Sequence, residues 1–488
     1  MKNKSLGVNA ILNAFKSALS IIFPLITYPY AFRILHASGI GKVNYSSSIV
    51  SYFSLIAALG ISTYAVREGA KLRTNKSKFE DFCSQMFSLN VITTIISYMV
   101  LITVICLSES LVPYKFIIIL LSVTIAFSTF GIEWVNTIFE DFLFITVRSI
   151  IINIITLVLL FVLVRTEGDY AAYAFLTVVT SGCICFSNWF YCKKYVRIRF
   201  TKNIEIRRHI KPILTFFVNN IATSIYVNAD TTMLGFLIGD SAVGLYSIAV
   251  KVYNVIKAML AALYTVAVPR IAYYVGENDK ENIKKTFTAL FSNLTIILLP
   301  ATVGLVSISG EIVLVMGGKE YMAATSTLRI LAVALIGAIV GGSITYCLNI
   351  PLGKEKITAK ATIYSAVINI ALNFFAIPLL SQNGAAITTV ISEFFVAAYC
   401  IAKSPDIKNY LDINIWKQSL KCAIIGCFTI VIITFFVNSI APPLILKLFF
   451  ILVISVFIYC CELVVLKNPM ALSILSKFRV KIISYFTY

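Results

Sequence analysis

Three sets of polar side chains recur at helical spacing inside apolar stretches, and together they point to chemistry carried out within a membrane. Asn9, Asn13, Lys16 and Ser20 are spaced 4, 3, 4, and Asn219, Thr223, Tyr226 and Asp230 repeat that spacing. Ser247, Lys251, Asn254 and Lys257 follow at 4, 3, 3. Each set falls on one face of a helix. A Lys or Asp at the centre of a bilayer costs about 2.5–3.5 kcal/mol even on the lenient insertion scale, so such groups face a bundle interior or a wet cavity. The stripes therefore describe a hydrated path lined by Lys16, Lys251 and Lys257 with Asn13, Asn219 and Asn254, and with Arg33 and Arg67 at its ends.

Several of these groups have a second reading. Lys16 and Lys257 lie about two turns from one end of their helices and are also placed to snorkel to the interface. Asp230 is either an ion-coupling group or an acid at the outer interface. Glu393, half-way along an apolar segment, either pairs with a Lys or takes up a coupling proton. Glu133, at the end of its segment, reads as structural. Pro24 and Pro29 each remove a backbone hydrogen bond from the segment bearing Lys16, giving either a gating bend or a fixed kink.

The elements that must position these groups follow from composition. The chain has 488 residues, 59% hydrophobic and 13% charged, with a mean hydropathy of +0.90. Soluble domains carry about 25% charged residues, so an ordinary soluble fold is excluded. Taking about 20 apolar residues per crossing, the sequence predicts an all-α polytopic protein. Its fourteen spans lie near 8–35, 41–63, 84–107, 114–136, 145–164, 170–191, 212–236, 241–268, 286–308, 325–349, 357–379, 384–402, 421–440 and 444–465. The basic start followed by a long apolar run reads as a first span rather than a cleaved leader.

Charge fixes the expected orientation. With the N-terminus cytoplasmic, the inner connections and both tails hold 31 of the 41 Lys and Arg residues and the outer connections hold 7. That asymmetry is the positive-inside pattern, and it places both termini in the cytoplasm. The net charge of +19 is thus a topology signal. The basic stretch 193–211 reads as a cytoplasmic connection beside anionic headgroups, not as a nucleic-acid site. It separates an N-lobe (1–192, helices 1–6) from a C-lobe (212–402, helices 7–12), with helices 13–14 and a basic tail in 403–488. A weak internal repeat supports two lobes. At an offset of 201, Tyr45-Ser46 matches Tyr246-Ser247 and Tyr52 matches Tyr253; after a two-residue gap Ala65-Val66-Arg67 meets Val268-Pro269-Arg270.

Enzymatic classes find little support. Eleven cysteines are scattered through apolar stretches, and two histidines, His36 and His209, assemble no metal spacing. Gly317-Gly318-Lys319-Glu320 lacks the phosphate-loop pattern. No metal or organic cofactor is expected, only H⁺ or Na⁺ as a coupling ion.

Several stretches resemble a known family. They are Ala65–Lys71 (AVREGAK), Gly131–Trp134 (GIEW) running on to Glu140–Arg148 (EDFLFITVR), Asp230–Gly235 (DTTMLG) and Val243–Ser247 (VGLYS). In order, placement and overall plan the chain is similar to the Wzx-type polysaccharide repeat-unit flippases of the multidrug/oligosaccharidyl-lipid/polysaccharide (MOP) exporter superfamily. The resemblance implies a MATE-like fold in the bacterial inner membrane. It also implies alternating-access transfer of undecaprenyl-diphosphate-linked oligosaccharide to the periplasmic leaflet, for O-antigen or capsule synthesis. The implied partners are that lipid, the surrounding membrane lipids, and a polymerase and chain-length regulator of the same pathway. A diphosphate needs a cationic path, and Lys serves as a point-charge partner. A drug/ion antiporter of the same fold is the alternative, although its cation site should be acidic and aromatic. A polymerase or glycosyltransferase would need a large outer loop, and none here exceeds about 17 residues.

The charge count makes a direct prediction. A cysteine introduced within 310–321 of a cysteine-free background should label in intact cells with a membrane-impermeant thiol reagent, and one placed within 196–208 should not. The reverse pattern would overturn the orientation.

Overall fold

The computed structural model describes residues 6–404, 407–440, 442–469 and 472, with side chains described from residue 23 onward and that of Asn219 excepted. Every element among these residues is helical. In hydrocarbon no water is present to satisfy a backbone N–H or C=O, so a spanning segment must satisfy them within itself. Thirteen described helices are long and apolar enough to cross a membrane. The first of them, Phe23–Leu72, runs for 50 residues, about 75 Å at 1.5 Å per residue and more than twice the hydrocarbon thickness. It therefore makes two crossings, and fourteen spans result.

The break that divides it lies in α1 (Leu6–Ala58) at His36, whose φ of 55° is left-handed. Pro24 and Pro29 lie inside α1, and among its described residues helical torsions fail only at His36. The helix thus turns at a histidine rather than at either proline. A short amphipathic α2 (Ile61–Leu72) follows, then α3 (Lys76–Leu107), α4 (Lys115–Phe130), α5 (Glu133–Ile138), α6 (Phe142–Leu163) and α7 (Tyr170–Cys192). The order recurs in α8 (Ile206–Leu237), α9 (Asp240–Thr265), short α10 (Val268–Gly276), α11 (Lys280–Ser307), α12 (Ser309–Gly317), α13 (Ala324–Ile344), a π-turn at Thr345–Asn349, α14 (Glu355–Leu380) and α15 (Gln382–Lys403). After the one-turn α16 (Ile407–Tyr410), α17 (Ile413–Ile440) and α18 (Leu444–Val465) complete the chain.

By packing, the chain falls into two units, 1–247 and 248–488, and the division lies inside α9. The segment 193–211 and all of α8 thus group with the first unit.

In the first unit α1 packs against α3, α4, α6, α7 and α8. Its closest approach is to the start of α9. A Cβ on Gly41 would lie 1.9 Å from the Asp240 carbonyl oxygen, and one on Gly244 would lie 2.0 Å from that of Ala37. Asp240 is four residues before Gly244 and Ala37 four before Gly41, so the crossing is two-fold symmetric. Asn44 donates to Ser247 Oγ at 2.8 Å on the same seam. These pairs, together with the left-handed breaks at His36 and Gly239, share an offset of 203. The sequence match of Tyr45 with Tyr246 is therefore not a structural equivalence. Two residues amount to about 200° around a helix, and the two rings take different partners: Tyr45 packs on Gly235 and Tyr114, while Tyr246 bonds Asp230.

The basic segment after α7 is fastened to α3. The backbone N–H groups of Arg197, Arg199 and Thr201 donate to Glu80 Oε1 (3.4 Å), Ser84 Oγ (3.2 Å) and Ser88 Oγ (2.8 Å). Two extended residues advance about 6.7 Å and four helical residues about 6 Å, so alternate amides find acceptors at every fourth helix position. Gln85 Oε1 then accepts from Glu205 N–H at 3.0 Å, where α8 begins. Arg208, 2.8 Å away, holds the Glu205 carboxyl below the usual carboxylate range.

In the second unit α13 is the most enclosed span. Small residues let α15 approach it: the nearest backbone to a Cβ on Gly337 is that of Glu393 and Phe394, at 2.7 Å. α17 packs on α11 and α18 on α17, tied by Trp416 Nε1 to Thr295 Oγ1 (3.0 Å) and Tyr459 Oη to the Ile296 carbonyl (2.9 Å). Their outer faces leave large apolar side chains such as Phe435 and Phe457 uncovered by protein, as a lipid-facing surface requires.

The glycine crossing makes the next prediction. Gly244→Val should lower the thermal midpoint of detergent-solubilised protein, with an overpacking cost of about 1–3 kcal/mol. Gly239→Ala, where a Cβ meets nothing within 4 Å but φ is +119°, should cost less. Equal losses at the two positions would remove the packing argument.

Candidate functional site

Three polar clusters lie at membrane depth, two in the first unit and one in the second. The first is a seam along α1, α8 and α9. Asp230 is 6% exposed and accepts from Tyr246 Oη at 2.5 Å. Beside it Thr232 Oγ1 donates to Ser48 Oγ at 2.9 Å and lies 3.3 Å from Tyr52 Oη. Asp230 is thus a buried, hydrogen-bonded acid and not an exposed interfacial one. Asn44, Ser48 and Tyr52 on α1 are spaced 4, 4, a further polar stripe that is visible in the sequence. Asn13, Lys16 and Asn219 have side chains outside the described residues. Arg33 is exposed, close to the His36 break.

The second cluster lies where α5, α6 and α7 meet in the first unit. α4 ends at Gly131, Ile132 takes a left-handed φ of 37°, and α5 starts after this break. That strained turn brings Glu133 to Arg148 on α6 at 2.9 Å. Arg148 is 6% exposed and also donates to Asn188 Oδ1 on α7; Asn136 Nδ2 donates to the same oxygen at 2.8 Å. Glu133 is therefore the counter-ion of a buried arginine, in keeping with a structural role. A cavity of ≈ 690 Å³ opens here, lined by Arg67, Phe127, Glu133, Trp134, Thr137 and Asn188 among others. Arg67 is exposed, bonds Glu68 at 3.1 Å and stands over the Phe216 ring at 6.0 Å.

The third cluster lies in the second unit. Glu393 on α15 is 6% exposed and accepts from Lys257 Nζ at 2.6 Å and from Tyr253 Oη at 3.0 Å, both on α9. Lys257 also lies over the Tyr253 ring at 5.4 Å. The lysine is therefore paired rather than snorkelling, yet its side chain keeps 32% exposure. On the same helix Lys251 is half-buried and Asn254 exposed. Asn369 and Asn373 on α14 share a buried network with Thr388 on α15. The spacing of the two asparagines, 4, was visible in the sequence; their meeting with Thr388 was not. Among the described residues no three His, Cys, Asp or Glu side chains converge to hold a metal ion.

A profile described as "Polysaccharide biosynthesis protein" matches residues 6–275, more than half of the chain and the whole of the α1–α9 seam. The chain belongs to that family. It is a Wzx-type member of the MOP superfamily and a multi-pass membrane protein. A second profile, MatE, matches residues 215–375. Among curated relatives, a protein described as "Putative O-antigen transporter" from Shigella dysenteriae is 22% identical over 400 residues, covering 80% of this chain and 98% of its own. A protein of the same description from Escherichia coli (strain K12) is 22% identical, covering 81% and 95%. A "Probable low-salt glycan biosynthesis flippase" from Haloferax volcanii is 26% identical over 36% of this chain and 37% of its own. Among solved structures, the fold matches a lipid II flippase, MurJ, in an inward closed conformation. The TM-score is 0.76 at 16% identity, over 95% of this chain and 99% of that one. An inward-facing MATE multidrug transporter matches at 0.57, also with 16% identity, over 80% and 98%. The chain therefore has a MurJ/MATE-like fold.

The Lys257–Glu393 pair can be tested for mutual neutralisation. Lys257→Met leaves a buried carboxylate without its cation and should cost about 2–3 kcal/mol, moderated because the lysine is partly exposed. Adding Glu393→Gln should recover most of that loss in a thermal-unfolding double-mutant cycle. Strictly additive effects would show that the contact contributes nothing.

Proposed function

We propose that this protein moves undecaprenyl-diphosphate-linked oligosaccharide repeat units from the cytoplasmic to the periplasmic leaflet of the bacterial inner membrane, for O-antigen or capsule synthesis. The observation that carries this reading is the placement of Lys251 and Lys257 on α9, well inside a membrane-spanning helix. Ammonium groups kept at that depth against their insertion cost serve an anion that must pass. Family membership supports an oligosaccharide-lipid as that anion.

The reading assigns roles to the remaining groups. Lys251 and Lys257, with Asn254, line the path of the diphosphate, and Arg33 and Arg67 stand at its ends. Glu393 holds Lys257 until a coupling proton, or the diphosphate itself, takes its place. Asp230 is the second coupling candidate. Two six-helix lobes, 1–192 and 212–402, joined by 193–211, alternate the access, with both termini cytoplasmic. A polymerase and chain-length regulator act on the delivered units, and the protein itself makes and breaks no covalent bond. An organic-cation exporter would keep an acid open to its substrate, whereas Glu393 already accepts from a lysine at 2.6 Å.

The test is transfer of a fluorescent undecaprenyl-diphosphate oligosaccharide in proteoliposomes. Wild-type protein should accelerate it, and Lys251→Ala should slow it about tenfold or more, the loss of one charge-assisted phosphate contact. The same variant should cut surface polymer in cells while protein stays in the membrane. Unchanged transfer and normal surface polymer in Lys251→Ala would sink the reading.

A further inference from the structure

The ≈ 690 Å³ cavity of the first unit is not needed to hold a diphosphate. Its lining holds one cation, Arg67, and one acid, Glu133, each engaged by a partner of opposite sign: Arg67 bonds Glu68 at 3.1 Å and Glu133 bonds Arg148 at 2.9 Å. The formal charge of the lining is zero. A phosphate would have to displace a carboxylate there, whereas an uncharged polyol would not.

What the cluster lacks is an acceptor. Asn188 lines the cavity and is fully buried. Its Oδ1 already receives Asn136 Nδ2 and Arg148 Nη1, which fixes the amide's orientation and leaves Nδ2 as a donor. That Nδ2, and the Nε of Arg148, have no hydrogen-bond partner among the described residues. A buried donor without a partner costs about 1–3 kcal/mol, so such groups need an explanation. Glu133 adds the complementary function: Arg148 engages Oε1, and the side chain keeps 47% exposure, open to a hydroxyl donor. Thr137 contributes a hydroxyl that can do either, and half-buried Phe127 brings aromatic surface, while Trp134 is packed in the core behind the lining. The size falls within the range of small-molecule sites. The strained Ile132 turn, which carries Glu133 and Trp134 together, is a backbone cost of the kind that gathers at ligand sites.

We propose that this cavity is a sugar subsite: it takes one uncharged pyranose residue of the cargo, stacked on Phe127 and hydrogen-bonded at Glu133, Thr137 and Asn188. The inference rests on the transport reading above and adds to it. Sugar identity is then read by a neutral site, apart from the cations that meet the diphosphate.

Binding to full-length protein in nanodiscs tests this, with three probes: undecaprenyl diphosphate, and the same lipid bearing N-acetylglucosamine or galactose. Wild-type protein should bind at least one sugar-bearing lipid about three- to tenfold tighter than the bare lipid, the range expected of one aromatic contact. Phe127→Ala should erase that preference and leave bare-lipid binding within about twofold, while Phe127→Tyr should retain it. The subsite is overturned if wild-type protein binds all three lipids equally, if the preference survives Phe127→Ala, or if Phe127→Ala weakens bare and sugar-bearing lipids alike. Failure of wild-type protein to bind any of the three would instead overturn the transport reading, and the subsite with it.

Discussion

Hydrocarbon offers no partner to a charge, so each ionised group kept at membrane depth has to bring its own. Glu393 brings Lys257 and Arg148 brings Glu133. Each pair joins two helices, so neutralisation and tertiary structure are one constraint. The pairs differ in how they can be exchanged. Arg148 is sealed, with 5% side-chain exposure, whereas Lys257 keeps a third of its surface. A charge that is paired and still reachable can change partners; one that is paired and sealed can only hold helices together.

Most of the architecture was legible in the sequence because hydrocarbon reduces the fold to a one-dimensional problem. Apolar runs mark the spans, and in a helix every backbone bond is local. The break after residue 35, the short connections and the appended last two helices could all be read that way. What could not be read is what depends on distance in space. Glu393 had no visible partner because Lys257 lies 136 residues away. The Tyr45/Tyr246 match suggested a repeat, yet its register was two residues off, because residue identity was used where backbone approach decides. Gly41 and Gly244 carry that register, and they have no side chain to advertise it.

The sugar cavity was hidden for a similar reason. Glu133, Trp134 and Arg148 all lie within the stretches that carry the family resemblance, but nothing in their spacing shows that Ile132 breaks the helix so that Glu133 reaches Arg148 and Arg148 reaches Asn188. The sequence predicts one unbroken span over 114–136, whereas α4 stops at Phe130 and a helix of 6 residues follows. In membrane helices such interruptions are tolerated where neighbouring polar groups take up the freed backbone. Here the polar groups around the turn hold one another and keep donors in reserve.

The ladder between the 197–201 backbone and α3 sets rules for change in this segment. Its rungs are alternate amides, with a period of two against the helix's four. Insertion of one residue within 197–201 would turn the amides that follow it away from their acceptors on α3. Insertion of two would advance the rest of the strap by a single rung and preserve its bonding. Length variation among natural relatives should therefore come in even steps here. Odd steps belong before Arg197 or in 202–204, between the last rung and the Glu205–Gln85 bond.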